Sequence, residues 1–159
     1  MGMMKTPNEP LEYPAHYPPI DRWRKFFIGV RWLGADLSFF KNLKQQQGAR
    51  TSDCMTSWGT EERKDLATVF GCILKEWLRW PTPYFLPEDK FGVIAGGAKF
   101  QMVDCLEFEG ALRELEKYLG RRLPDSFWQV SMNRTFGEVV DEILRNKGNT
   151  QQAAPADRR

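Results

Sequence analysis

Histidine is almost absent from this 159-residue chain, and cysteine is scarce. His16 stands alone in a Pro-rich stretch, and Cys54, Cys72 and Cys105 lie far apart with no C-x-x-C pair. That pattern excludes the usual zinc spacings, so no metal site is expected. Three cysteines leave one thiol outside any disulfide scheme, and reduced thiols in a reducing compartment are the expectation. No histidine follows Cys105, so no Cys–His nucleophile can be assembled there. Long apolar runs are also missing. The longest near the N-terminus is Phe26-Phe27-Ile28-Gly29-Val30, far short of the ~18 residues a membrane span needs. The first residues lack the apolar centre and small-residue cleavage site of a secretory signal, so a cytoplasmic protein is expected. Nor does any segment show sustained period-two alternation, which argues against strands.

Charge of one sign is lacking overall, with a formal net charge of +2. The near-balance hides an asymmetry. Residues 1–50 hold eight Lys/Arg against four Asp/Glu, whereas residues 51–147 hold thirteen against sixteen. A basic N-terminal part on an acidic remainder implies two different surfaces. It does not make one nucleic-acid footprint, and no RNP-like or helix-turn-helix pattern accompanies it, so no nucleic-acid partner is expected.

What is present is helical periodicity between two polar, Pro-containing ends. Residues 1–19 read as an irregular arm, because Pro7, Pro10, Pro14, Pro18 and Pro19 remove amide donors and favour extended backbone. Residues 20–44 read as an amphipathic basic helix. Trp23, Phe26, Phe27, Val30, Leu33, Leu37 and Phe40 recur at steps of three and four, beside Arg22, Arg24, Lys25, Arg31, Lys41 and Lys44. Packing onto the remaining domain is the first expectation for this helix, contact with an anionic membrane surface the second, and docking to a partner the third. Residues 45–59, opening with Gln45-Gln46-Gln47-Gly48-Ala49-Arg50-Thr51-Ser52, read as a linker, and residues 148–159 as a disordered tail.

Residues 60–147 read as a helical domain. Thr60 followed by Glu61 and Glu62 is an N-cap with carboxylates at the positive end of the helix dipole. Leu66, Phe70, Ile73 and Trp77 share one face, and the helix must stop before Pro81. A proline-rich loop follows, then Gly92 to Gly97 as a flexible stretch. Gly96-Gly97-Ala98-Lys99 lacks the glycine spacing and Ser/Thr of a phosphate-cradling loop. Asp104-Cys105-Leu106-Glu107 opens an amphipathic helix running to Gly120, and after Leu123-Pro124-Asp125 and an irregular stretch comes Thr135-Phe136-Gly137-Glu138, a capping box.

In that order and spacing, residues 60–144 resemble an acyl carrier protein. The helix from Thr60 is similar to the family's first helix, and Leu86-Pro87-Glu88-Asp89-Lys90-Phe91 to its loop segment. Asp104-Cys105-Leu106 stands where Asp-Ser-Leu starts the recognition helix. Leu123-Pro124-Asp125 and the Thr135 helix start match the corner and last helix. The chain departs from the pattern in the longer stretches before Asp104 and after Asp125, in Gly110 at an acidic position, and in Cys105 at the serine that receives phosphopantetheine. The resemblance implies an all-α fold, a small carrier-like helical bundle with the amphipathic N-terminal helix added. The expected core is Leu66, Phe70, Ile73, Trp77, Leu112, Leu115, Leu119, Val139, Val140 and Ile143.

It also implies a site. Cys105 marks the cofactor-attachment position, and Asp104, Leu106, Glu107 and Glu109 mark the contact surface for a basic partner enzyme. At 100° per residue, Phe108, Ala111, Leu112, Leu115 and Leu119 fall on one side of the helix. Glu107, Gly110, Arg113, Glu114 and Lys117 fall on the other, and Leu106 stands among them. A thiol is poorly matched to attack on phosphorus, and Asp104 and Glu107 disfavour the thiolate, so no cofactor is expected. The reading is a non-catalytic carrier-like protein acting through its acidic helix. The alternatives are a genuine acyl or peptidyl carrier with an atypical attachment site, and a structural or regulatory adaptor, including one at a membrane surface. An enzyme is not expected, because no acid–base pair or activated nucleophile emerges.

Overall fold

The computed structural model describes residues 5–15, 17, 38–97 and 106–151. Most of the helix expected over 20–44, and both Asp104 and Cys105, lie outside the described residues. Within them the protein is all-α. Six α-helices follow one another: α1 (Phe39–Gly48), α2 (Glu61–Leu78), α3 (Phe91–Gly96), α4 (Leu106–Leu119), α5 (Asp125–Ser131) and α6 (Phe136–Gln151). A 3-10 helix, Ser52–Trp58, joins α1 to α2. Among the described residues, extended pairing is confined to one bridge between Lys90 and Thr135. None of these helices is long and apolar enough to cross a membrane.

Local chemistry sets the helix ends. The Thr60 hydroxyl accepts the Arg63 amide, capping α2 as its sequence predicts. That helix stops at Leu78, where Arg79 turns left-handed two residues before Pro81. Before α6 the capping box closes in both directions: the Thr135 amide donates to Glu138 Oε2 at 2.7 Å, and the Glu138 amide donates to Thr135 Oγ1 at 3.3 Å. The Thr135 amide, and then its hydroxyl, which donates to Glu138 Oε2 at 3.1 Å, hold the Glu138 carboxyl below the ordinary glutamate range.

Helix α2 is the centre of the bundle, packed against α3, α4, α6 and the 3-10 helix. Leu66, Phe70 and Ile73 face inward as expected and meet Leu115, Val139, Val140 and Ile143 in one buried cluster. Leu112 and Leu119 pack against the edge of that cluster. Aromatic rings fill its middle. Phe136 lies 5.3 Å from Phe70 and from Trp58, and 5.8 Å from Phe85, while Trp128 reaches Phe70 and Phe91. Trp77 departs from the expectation: it lies on the rim, 38% exposed.

The stretch 45–59 is not a linker. Its first residues finish α1, its later ones form the 3-10 helix, and Gln46, Gln47 and Arg50 are buried. The physical reason is a set of polar partners far away in sequence. Gln47 exchanges hydrogen bonds with the Thr82 backbone, its Nε2 donating at 2.7 Å and its Oε1 accepting at 3.0 Å. Arg50 forms a bidentate ion pair with Asp89, Nη1 to Oδ2 at 2.6 Å and Nη2 to Oδ1 at 2.8 Å, with both side chains fully buried. Its remaining donors reach the carbonyls of Pro7, Glu9 and Tyr84. Asp89 in turn accepts the amides of Leu11 and Leu86. The described part of the Pro-containing arm, residues 5–15, is therefore irregular but anchored, and Leu11 is buried.

Three other expectations change. Gly92 to Gly97, read as flexible, largely form the single-turn α3, whose Val93 and Ile94 enter the core and whose Ile94 carbonyl accepts the Trp80 indole N–H. The irregular stretch after Pro124 contains α5, which buries Trp128. Finally, α6 continues past Lys147 to Gln151, into the segment expected to be disordered.

Candidate functional site

Helix α4 presents the candidate surface. Its first residue, Leu106, is 66% exposed, the most exposed of the large apolar side chains described. Glu107 and Glu109 are exposed, and neither enters an ion pair among the described residues. Between them Phe108 points inward, with its ring 6.1 Å from that of Phe91 and 6.5 Å from that of Trp128. Ala111 and Leu115 continue the inward face and are fully buried. The wheel drawn from the sequence is therefore the observed one, and Leu106 stands on the outer side of it.

The outer side is not wholly open. Gly110, one turn after Leu106, lies under the ring of Trp77 from α2. A Cβ placed on Gly110 would fall 2.3 Å from that ring, so only glycine lets the two helices approach this closely. The Trp77 indole N–H donates to Glu114. The glycine at 110 thus has a packing cause. Trp77 also joins Leu106 as a second partly exposed apolar group beside the helix start. Periodicity placed Trp77 in the core, because its only local signal is its spacing from Ile73 and Phe70.

Beyond Gly110 the sign of the surface reverses. Arg113, Lys117, Gly120, Arg121 and Arg122 surround a shallow recess of about 520 Å3, with Glu116 the one acid on its wall. Glu116 is committed internally, accepting the Leu123 amide at 2.9 Å. Arg121 is anchored by donating to the Ile143 carbonyl at 2.7 Å, while Arg122, almost wholly exposed, pairs with Glu116 at 3.8 Å. This basic end was visible in the sequence as Arg113 and Lys117 four apart, followed by an Arg pair.

Elsewhere among the described residues, several polar groups tie elements of the fold together. A recess of about 410 Å3 between the N-terminal arm and α1 is bounded by the Lys5–Glu12 pair, Pro14, Phe39, Leu43 and Gln46. Arg63 bridges α2 to α6 through Asp141 at 2.7 Å and lies over the Trp58 ring. Burial pushes the Cys54 thiol above its ordinary range, against the pull of Arg50, which makes it a poor nucleophile. Among the described residues no group of three His, Cys, Asp or Glu side chains is placed to hold a metal ion. No protein-family model, curated protein or solved structure matches the chain. The α4 surface offers a protruding leucine, a tryptophan edge, and carboxylates that enter no ion pair among the described residues.

Proposed function

We propose that this is a non-catalytic, acyl-carrier-like protein that acts by docking the start of α4 onto a basic surface of a partner enzyme, without a phosphopantetheine arm. The observation that carries the reading is the exposed Leu106 beside the exposed Glu107 and Glu109, acids that enter no ion pair among the described residues. A free apolar group rimmed by unpaired charge suits association, in which the charges steer encounter and the leucine supplies buried area. The absence of the arm rests on Cys105 standing where the resembling family has serine.

Capture of partners from the protein's own host tests this. The double variant Glu107→Lys/Glu109→Lys should retain its thermal midpoint, since exposed charges contribute little to stability. It should lose the captured partner, and wild-type capture should weaken as salt rises. Capture that is indifferent to both the double reversal and salt would refute the proposed surface.

A further inference from the structure

Helix α4 ends in positive charge that the docking of its start does not use. Arg113 and Lys117 are exposed and one turn apart on the same side of α4, and Arg121 follows beyond its end. All three border the shallow recess of about 520 Å3, and none enters an ion pair among the described residues. Arg122 and Glu116, the other charged groups there, pair with each other at 3.8 Å, so three cations share one opening without a counter-charge. Complementing the helix dipole accounts for Lys117 in the last turn, but Arg113 stands near the middle of the helix. The carbonyl end, which repels anions, is closed by amides: Gly120 donates to the Lys117 carbonyl at 3.3 Å and Arg121 to the Glu116 carbonyl at 3.2 Å. Gly120 adopts the left-handed φ of 69° that this reversal needs. Beyond it the Arg121 guanidinium is fixed against α6, where Nη2 donates to the Ile143 carbonyl. Its other N–H groups have no acceptor among the described residues.

We infer that this recess binds a small ligand through a diphosphate group. A single phosphoryl group carries about −1.5 to −2 near neutral pH, which leaves a cation unmatched, whereas a diphosphate matches all three. A guanidinium fork meets phosphate oxygens with two parallel N–H···O bonds, and the Lys117 ammonium adds a point charge beside Arg113 and Arg121. Because Arg121 is already held by Ile143, little rotamer freedom is lost when it takes up the anion. The wall carries no aromatic ring on which a base could stack, so recognition ends at the phosphates. The site is separate from the docking surface, since Arg113 lies about seven residues beyond Leu106, or ~10 Å along the axis at ~1.5 Å per residue.

Isothermal titration calorimetry of the full chain at low salt, free of divalent cations, tests this with pyrophosphate as the probe. Wild type should bind pyrophosphate saturably. Orthophosphate, and citrate as an anion of similar charge without phosphorus, should each bind at least on the order of 10-fold more weakly. ADP should match pyrophosphate, since no group on the wall reads the base. Arg113→Gln and Lys117→Gln should each weaken binding on the order of 10-fold with circular dichroism unchanged, because each removes one charge-assisted contact at an exposed position. Glu107→Lys/Glu109→Lys, which removes the proposed docking acids, should not weaken it, so the two readings fail separately. Absence of saturable pyrophosphate binding, citrate bound as tightly, or binding unmoved by both glutamine variants would each overturn the inference. ADP bound more than about 10-fold tighter than pyrophosphate would also overturn it, by revealing a contact beyond the phosphates.

Discussion

Asp89→Asn removes one charge from a buried pair and leaves the other stranded. In the folded protein the Arg50 guanidinium has its Asp89 contacts at 2.6 and 2.8 Å and carbonyl contacts at 2.9, 3.0 and 3.3 Å, with no solvent to replace any of them. The asparagine oxygen can still accept one of the Leu11 and Leu86 amides. Its NH2 group then faces the other amide or the guanidinium, donor against donor. Breaking a buried pair on one side typically costs ~3–5 kcal/mol, because an uncompensated charge remains in a low-dielectric site. That is a large share of the ~5–15 kcal/mol by which domains are stable. Urea unfolding followed by circular dichroism measures the loss. Hydrogen exchange adds a local signature, in which the Leu11 amide and the arm around it lose protection before the helices do. A loss below about 1 kcal/mol for Asp89→Asn with the arm still protected would refute the hub as the anchor of residues 5–15 and 45–59.

Three further outcomes are expected. Gly110→Ala gains up to ~1 kcal/mol of helix propensity but drives a methyl group into the Trp77 ring, so overpacking prevails and the unfolding free energy measured in urea falls by a net ~1 kcal/mol; a stabilised variant would contradict the close approach of α2 and α4. Thr135→Ala should cost about 1 kcal/mol at neutral pH. Only the share carried by the Thr135 hydroxyl on the Glu138 carboxylate titrates: with the Glu138 pKa lowered by folding, it is present above the ordinary glutamate range and fades as pH falls below it. The gap between wild type and Thr135→Ala should therefore narrow in acid without closing, because the Glu138 amide still caps on Thr135 Oγ1. Tyr13 behaves in the opposite sense. Burial, then the neighbouring Tyr17, pushes its phenol up to about 12 from 10.0, so the folded state holds a proton that the unfolded chain releases. Stability should be complete below pH 10 and decline toward pH 12 more steeply in wild type than in Tyr13→Phe, and parallel alkaline unfolding curves would refute it.

The long helices were legible because their signals are local. Leu66, Phe70 and Ile73 mark a face at helical spacing, and Thr60 and Thr135 declare starts through side chains that reach only three residues. Arg50 and Gln47 were not legible. A polar run is ordinarily solvated, and the partners that bury them lie 34–39 residues further along, at Thr82, Tyr84 and Asp89. The short α3 and α5 offer too few residues for a period to emerge, and the glycines of α3 argue locally for a turn. In the candidate site, the outward placement of Leu106 amid polar neighbours followed from the wheel alone. The burial of Gly110 beneath Trp77 did not, since it depends on how closely two helices approach. The basic end of α4 could be read from Arg113, Lys117, Arg121 and Arg122, whereas the engagement of Glu114 by Trp77 and of Glu116 by the Leu123 amide could not.

The central claim is that α4 works as a bare surface, with no prosthetic arm at Cys105. Its most direct test is the mass of one tryptic peptide from protein isolated from its own host. Cleavage after Lys99 and Arg113 releases residues 100–113, which contain Cys105 and neither serine nor threonine. The predicted result is the peptide at its unmodified mass, with a thiol that alkylates fully. A peptide heavier by one phosphopantetheine group, with the addition located on Cys105, would contradict the claim and make the chain a carrier in the ordinary sense.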